Sequence, residues 1–389
     1  MFTSLRVLSV ALFTLVLTAC GAGGPGTDQD DPAYDQTKLA QFRSALPTAD
    51  QLLARSPEAT GSRAIGDPAF YPGAAYHVVM GINGSVGWII EVLRRVTEHP
   101  PTVFNSETSE FVWGPWPNED DFGTIAVYIR EEAPEADFQY TYAFIRGAGQ
   151  DLATMTPVIW GATNPDPHNE DFGMGITLFD QEANRGFAQV HDPDFGSKDF
   201  GTGRFVTLYG AGADENQAGA SHRFVVAVFR NFIGQDQAAE SPAPTNLDYF
   251  YGHWQGPAGN TLDFVDFAFE ADVDDNGVDD LPETLGINLV FLNGARGRAE
   301  AEATGGDLTE TQRVDATECW DDAVARQYLA FELTDDGISQ QAHSEGDPVL
   351  CLAPFDQPLA NLGLPKFEDL DPNIIGAMQD VAQNGLPQE

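Results

Sequence analysis

The sequence predicts a mainly β protein: a large antiparallel sheet, sandwich or barrel with one long N-terminal helix packed on it. Three observations carry this. From about Glu110 to Leu333 the chain passes through β-branched and aromatic runs separated by Asn/Asp/Gly/Pro clusters at hairpin spacing. No helical pattern falls between those runs, so neighbouring strands must connect as antiparallel meanders. One stretch, Ala74 to Val96, carries a long apolar stripe of helical period through Ile82, Val86, Ile90 and Leu93.

Taken in chain order, the first element is an apolar run from Val7 to Leu17, preceded by Arg6 and followed by Leu17-Thr18-Ala19-Cys20. It is too short to span a bilayer as a permanent helix and reads as a signal peptide over residues 1–19. The motif resembles the lipobox of bacterial lipoproteins. That resemblance implies that Cys20 is acylated and anchors the chain to a membrane. With Gly21 in place of an Asp retention signal, it also implies a cell-envelope address, at the outer membrane facing the periplasm or the exterior. Residues 20–33 are a Gly/Pro/Asp tether that cannot bury a core.

Residues 34–353 are expected to form the folded body. Leu39, Phe42 and Leu46 recur at helical spacing up to Pro47, and Thr48 to Gln51 makes a capping box for a second short helix with Leu52 and Leu53. Both helices are expected to pack on the outside of the domain. In the long helix, Arg94 and Arg95 suit the C-terminal end of the dipole, and Pro100-Pro101 stops it. Gly81, Gly84 and Gly87 recur every third residue, although a helical glycine costs about 1 kcal/mol relative to alanine. Close approach of a neighbouring backbone is the reading favoured by the sequence, and a ligand lying along that groove is the alternative.

The strand candidates are Phe122–Arg130, Phe138–Arg146, Gly173–Phe179, Arg204–Tyr209, Arg223–Phe232, Leu262–Ala271, Gly286–Leu292 and Gln327–Leu333. Asp-Phe-Gly recurs at 121, 171, 194 and 199 as turn chemistry, three times leading into a strand. Residues 354–389 read as an extended C-terminal tail over the surface, with one helix from Pro372 to Gln383.

Charge narrows function. Sixty acidic residues face 19 basic ones, of which only Lys38, Lys198 and Lys366 are lysines, for a net charge of −41. Nucleic acid and anionic lipid surfaces are polyanions and are excluded as partners. Three readings of the acidity compete: a solvated, self-repelling surface suited to salty surroundings, divalent-cation binding distributed over the surface, and a basic partner; scarce lysine beside abundant Asp favours the first. With Cys20 assigned to the lipobox, Cys319 and Cys351 remain as an even pair in an oxidising compartment and are predicted to form a disulfide.

The strongest site motif runs from Asp272 to Glu283. Asp272, Asp274, Asn276, the Val278 carbonyl, Asp280 and Glu283 occupy positions 1, 3, 5, 7, 9 and 12 of a twelve-residue loop, with Gly277 at position 6. Calcium takes six to eight hard oxygens in this order. The loop resembles those of EF-hand proteins, although its flanks read as strands, which makes Ca2+ here a structural ion. The seven histidines are scattered without a metal-binding pair, although His191 with Asp192 and Asp194, and His168 with Asp166, Glu170 and Asp171, offer ligands. No nucleophile elbow, phosphate loop or dinucleotide fingerprint is present.

Two function classes lead: a binding or structural module of the cell envelope, contacting protein, glycan or calcium, and a carrier holding an apolar ligand where a curved sheet meets the Gly81–Val96 helix. A cavity of several hundred Å3 lined with Val, Ile and Phe separates the second from the first. A third class, a hydrolase of envelope or extracellular polymer, requires two carboxylates in one cleft beside an exposed tryptophan.

Overall fold

The computed structural model describes residues 36–55, 65–118, 122–196, 200–234, 244–271 and 281–386. Cys20, the signal and tether segments, and loop residues 272–280 lie outside them. Fifteen strands form one sheet in strict sequence order, every neighbouring pair antiparallel. They are β1 (Val103–Asn105), β2 (Glu110–Pro117), β3 (Thr124–Glu131), β4 (Tyr140–Gly147), β5 (Thr156–Pro165), β6 (Gly173–Asp180), β7 (Thr202–Ala213), β8 (Ser221–Ile233), β9 (Thr245–Gln255), β10 (Thr261–Ala271), β11 (Glu283–Leu292), β12 (Gly297–Thr304), β13 (Gln312–Trp320), β14 (Arg326–Asp335) and β15 (Ile338–Gly346). The sheet is not closed; β1 and β15 are its edges. Among the described residues five α-helices accompany it: α1 (Gln36–Ser44), α2 (Ala49–Leu52), α3 (Phe70–Glu98), α4 (Gln181–His191) and α5 (Pro372–Asn384). The predicted class holds, and the long helix extends a few residues past each predicted end.

Both faces of the central strands are buried, which explains why they read as unbroken apolar runs. In β8, Val225, Ala227 and Phe229 join one core while Phe224, Val226 and Val228 join the other. The first core unites α1, α2 and α3 with inward residues from β2 through β14. Strands ~4.8 Å apart would spread a flat array of that size over roughly 60 Å, so one continuous core requires the sheet to curl around the helices. Glycines opposite aromatic rings assist the curling. A Cβ at Gly161 would collide with the Tyr142 ring on β4, and one at Gly175 would collide with the Tyr209 hydroxyl on β7. The Tyr142 hydroxyl meets Thr177 at 2.6 Å, and Tyr209 donates to Thr163 at 3.3 Å.

Helix α3 is fastened at both ends. At its start the Glu318 carboxylate of β13 accepts from the Phe70 and Tyr71 amides at 2.9 and 2.8 Å, where the helix dipole favours negative charge. Arg326 of β14 completes a fully buried ion pair with Glu318 at 2.5 Å. At its end, Arg43 of α1 donates to the Thr97 and His99 carbonyls at 2.7 and 3.0 Å, and Trp113 of β2 donates to the His99 carbonyl at 2.8 Å. The helix therefore runs obliquely from β13 to β2. Long and apolar enough by length and composition to cross a membrane, it buries Val79, Ile82, Val86, Ile90 and Leu93 in the inner core.

The expectation that the two short helices sit on the outside is corrected. Phe42 packs edge-on against Phe111 and Tyr140, and Leu39, Leu46 and Leu52 lie in the inner core. Gln51 donates to the Glu170 and Phe172 carbonyls beyond β5, so α1 and α2 fill the concave face at the rim where the β3–β4 and β5–β6 turns lie. Their apolar stripe needs burial, and the concave face has more area than α3 alone can cover.

The C-terminal segment covers the opposite face. Phe355, Leu359, Ile374, Ile375, Met378 and Val381 bury themselves on the outer sides of the central strands, and Arg204 donates to the Gln383 carbonyl. Its helix α5 lies where the sequence placed one. Cys319 and Cys351 are disulfide-bonded with Cα atoms 5.7 Å apart, tying the end of β13 to the start of this segment.

Candidate functional site

Among the described residues, the rim opposite α1 and α2 is not filled. A cavity of about 1670 Å3 lies there between α3 and the inner ends of β3 to β10. One wall is aromatic and aliphatic: Phe144, Val158, Phe179, Phe229, Phe232 and Phe269. These side chains point inward because they fall at alternate positions of strands whose other side faces the outer core. The facing wall is α3. Met80, Gly81, Gly84, Ser85, Trp88 and Val92 recur at three- and four-residue spacing along one side of that helix. Trp88 is 47% exposed and Met80 48%, an unusual state for large apolar side chains on a core helix. The Trp88 ring meets Phe179 across the groove, with centroids 5.4 Å apart.

The glycines of α3 are the second correction. A Cβ built at Gly81, Gly84 or Gly87 meets nothing within 4 Å. Among the described residues no backbone approaches them, so the close packing expected from their spacing is not seen there. Gly81 and Gly84 form a bare strip in the cavity wall.

Polar groups gather at the mouth and at one inner corner. Glu91, Asp194 and Glu270 are exposed on the lining, with Asp192 half-buried. Glu91 pairs with Arg95 at 2.8 Å, and Asp192 accepts from the Asp194 amide at 2.9 Å in a local turn. At the inner corner stand Arg146 of β4 and Gln181 and Asn184 of α4. The Arg146 guanidinium donates to Asn184 Oδ1 and to the Phe122 carbonyl, both at 2.7 Å, and lies over the Phe187 ring at 4.7 Å. Gln181 is 2% exposed, and its amide oxygen has no hydrogen-bond partner among the described residues.

Trp88 is exposed beside the carboxylates of this mouth.

A second polar cluster sits on the inner face of β8 to β10. Tyr251 donates to Asp263 Oδ1 at 2.7 Å, His253 Nδ1 meets the same oxygen at 2.7 Å, and Arg223 donates to Tyr251 at 3.2 Å. Asp263 also borders a smaller space of about 410 Å3 beside Met80 and Asn83. Among the described residues no serine, threonine or cysteine hydrogen-bonds His253, so the pair fixes β9 to β10 without completing a nucleophilic triad.

Of the predicted metal ligands, Asp272, Asp274, Asn276, Val278 and Asp280 lie outside the described residues. Glu283 is described, buried at the start of β11 and paired across the hairpin with Ala271. Among the described residues no group of three or more acidic, histidine or cysteine residues is placed to hold a metal, including those around His168 and His191. Trp113, Trp160 and Trp320 are core residues. Trp88, Gln181 and Arg146 were not singled out by sequence reasoning; the glycine spacing of α3 was the one signal that pointed to the groove.

No protein-family model, no curated protein and no solved structure matches the chain.

Proposed function

We propose that this protein is a binding protein for an apolar, lipid-sized ligand, which it holds in the groove between α3 and the aromatic inner wall of the curled sheet. The observation that carries this reading is the bare glycine strip. Two helical glycines that each cost about 1 kcal/mol relative to alanine face open space, opposite six aromatic or aliphatic side chains. A volume of about 1670 Å3 exceeds the ~300–1,000 Å3 typical of sites for drug-sized ligands. Because α3 is held at both ends, the groove is a preformed receptacle and not one made by a swinging lid. In this proposal Cys20 anchors the carrier to the cell envelope through its acyl chains, and the loop from Asp272 to Glu283 binds one structural Ca2+.

The test substitutes the strip. Gly84→Leu places a side chain into the groove from a position where a Cβ meets no described atom within 4 Å. N-phenyl-1-naphthylamine, an uncharged apolar fluorophore, is expected to bind the wild-type protein and to bind Gly84→Leu at least tenfold more weakly, while the melting temperature stays equal or rises. Equal dye affinity in the two proteins, or no dye binding at all, would return the filled binding or structural module to first place.

A further inference from the structure

Resting on the carrier reading, we infer that the ligand is an amphiphile with an uncharged, hydroxyl-bearing head, and that Gln181 is the residue that selects the head. Gln181 opens α4 at the inner corner of the cavity. Its two neighbours are fully committed: Asp180 caps the helix by accepting from the Ala183 amide at 2.8 Å and pairs with Arg204 at 2.8 Å, and Glu182 accepts from the Gly203 amide at 2.8 Å. Gln181 lies between them, 2% exposed, bordering the cavity, with its amide oxygen unpartnered among the described residues. A buried polar atom left without a partner costs about 1–3 kcal/mol. The local backbone also makes room for this amide, since a Cβ at Gly201 would stand 2.9 Å from the Gln181 amide carbon.

Charge selects the head. The lining carries Glu91, Asp192, Asp194 and Glu270 against Arg95 and Arg146, and Arg95 is already paired with Glu91. With a net charge of −41 on the whole chain, a carboxylate or phosphate head would enter against the field. An amine is disfavoured at the inner end, where the Arg146 guanidinium lies against Asn184, three residues along α4 from Gln181. A hydroxyl is both donor and acceptor. It satisfies the Gln181 amide whichever of oxygen or nitrogen a half-turn about the last side-chain bond presents to the cavity. The apolar chains of such a molecule would pass Trp88, whose ring meets Phe179 two residues before Gln181, and lie along Gly84 and Gly81.

The experiment is displacement of N-phenyl-1-naphthylamine from the purified full chain by 1-monooleoylglycerol and by oleate, which share one acyl chain and differ in the head. The wild-type protein is expected to prefer 1-monooleoylglycerol at least tenfold. Gln181→Leu and Gln181→Met should each lose at least fivefold of that preference, read within each variant as the ratio of its two displacement constants, so that a change in dye affinity common to both ligands cancels. Dye binding with equal or better displacement by oleate, or a preference unchanged in both variants, overturns this inference and leaves the carrier reading standing. Failure of the wild-type protein to bind the dye overturns both.

Discussion

At the scale of single residues, the Glu318–Arg326 ion pair is the one among the described residues with both side chains at 0% exposure. Both side chains are fully buried, and Glu318 also receives the first two amides of α3. Breaking a buried pair from one side costs about 3–5 kcal/mol, because the remaining charge stays in a low-dielectric site. Glu318→Gln keeps the shape and one acceptor for the helix amides but removes the charge facing Arg326. Its urea midpoint is expected to fall by the equivalent of about 3–5 kcal/mol. A loss below about 1 kcal/mol would mean that Arg326 reaches water or another anion on its own. Little of this was legible beforehand. Glu318 meets Phe70 across 248 positions of sequence, and no periodicity or motif encodes a partner at that distance. The disulfide was legible because elimination left two cysteines, whereas Gln181 sits in the ordinary polar run Asp180-Gln-Glu-Ala-Asn184. Its role comes from a cavity assembled by β4, β6, β8 and α3.

At the scale of elements, legibility followed burial on two faces. β8 and β10 are apolar on both sides and stood out; β12 and β15 did not. β12 reads Arg-Ala-Glu-Ala-Glu-Ala-Thr, good helix formers in a strand whose alanines face the inner core and whose Glu300 and Glu302 face outward. β15 is an exposed edge strand with almost no apolar signal. α4 was missed because among its eleven residues only Phe187 and Ala188 mark an apolar face. The β10–β11 hairpin is the element with the sharpest expectation. Its strands pair from Leu262↔Leu292 to Ala271↔Glu283, which brings the two ends of the predicted calcium loop together. A cation there would offset the repulsion of clustered carboxylates and stabilise only the folded state. Asp272→Ala combined with Glu283→Ala is expected to lower the melting temperature in millimolar calcium and to abolish the further drop that a chelator produces in the wild-type protein. An unchanged melt in calcium would reduce the loop to an acidic turn.

At the scale of the whole molecule, the acid-rich surface and the tyrosine-rich interior act in different pH ranges. Carboxylates are ionised well below neutral pH, and arginine stays charged at all accessible pH, so with only three lysines the surface charge changes little above neutrality. Alkaline stability therefore isolates the interior. Burial pushes the Tyr142, Tyr209, Tyr249 and Tyr251 phenols well above their ordinary value of 10.0. In the folded state they hold their protons past the point where the unfolded chain releases them. Their contribution is thus complete below pH 10 and is lost as pH rises beyond it, because the unfolded state then binds fewer protons. Each phenol supplies a slope of about 1.4 kcal/mol per pH unit, and four together about 5 kcal/mol per unit. Set against a typical domain stability of ~5–15 kcal/mol, this predicts a steep, cooperative alkaline unfolding. Tyrosinate absorbance should appear together with loss of the β-sheet circular dichroism signal. Gradual ionisation of most of the ten tyrosines near pH 10, with the sheet signal intact, would show that water reaches the inner wall, and with it that the curled sheet does not enclose a dry core around α3.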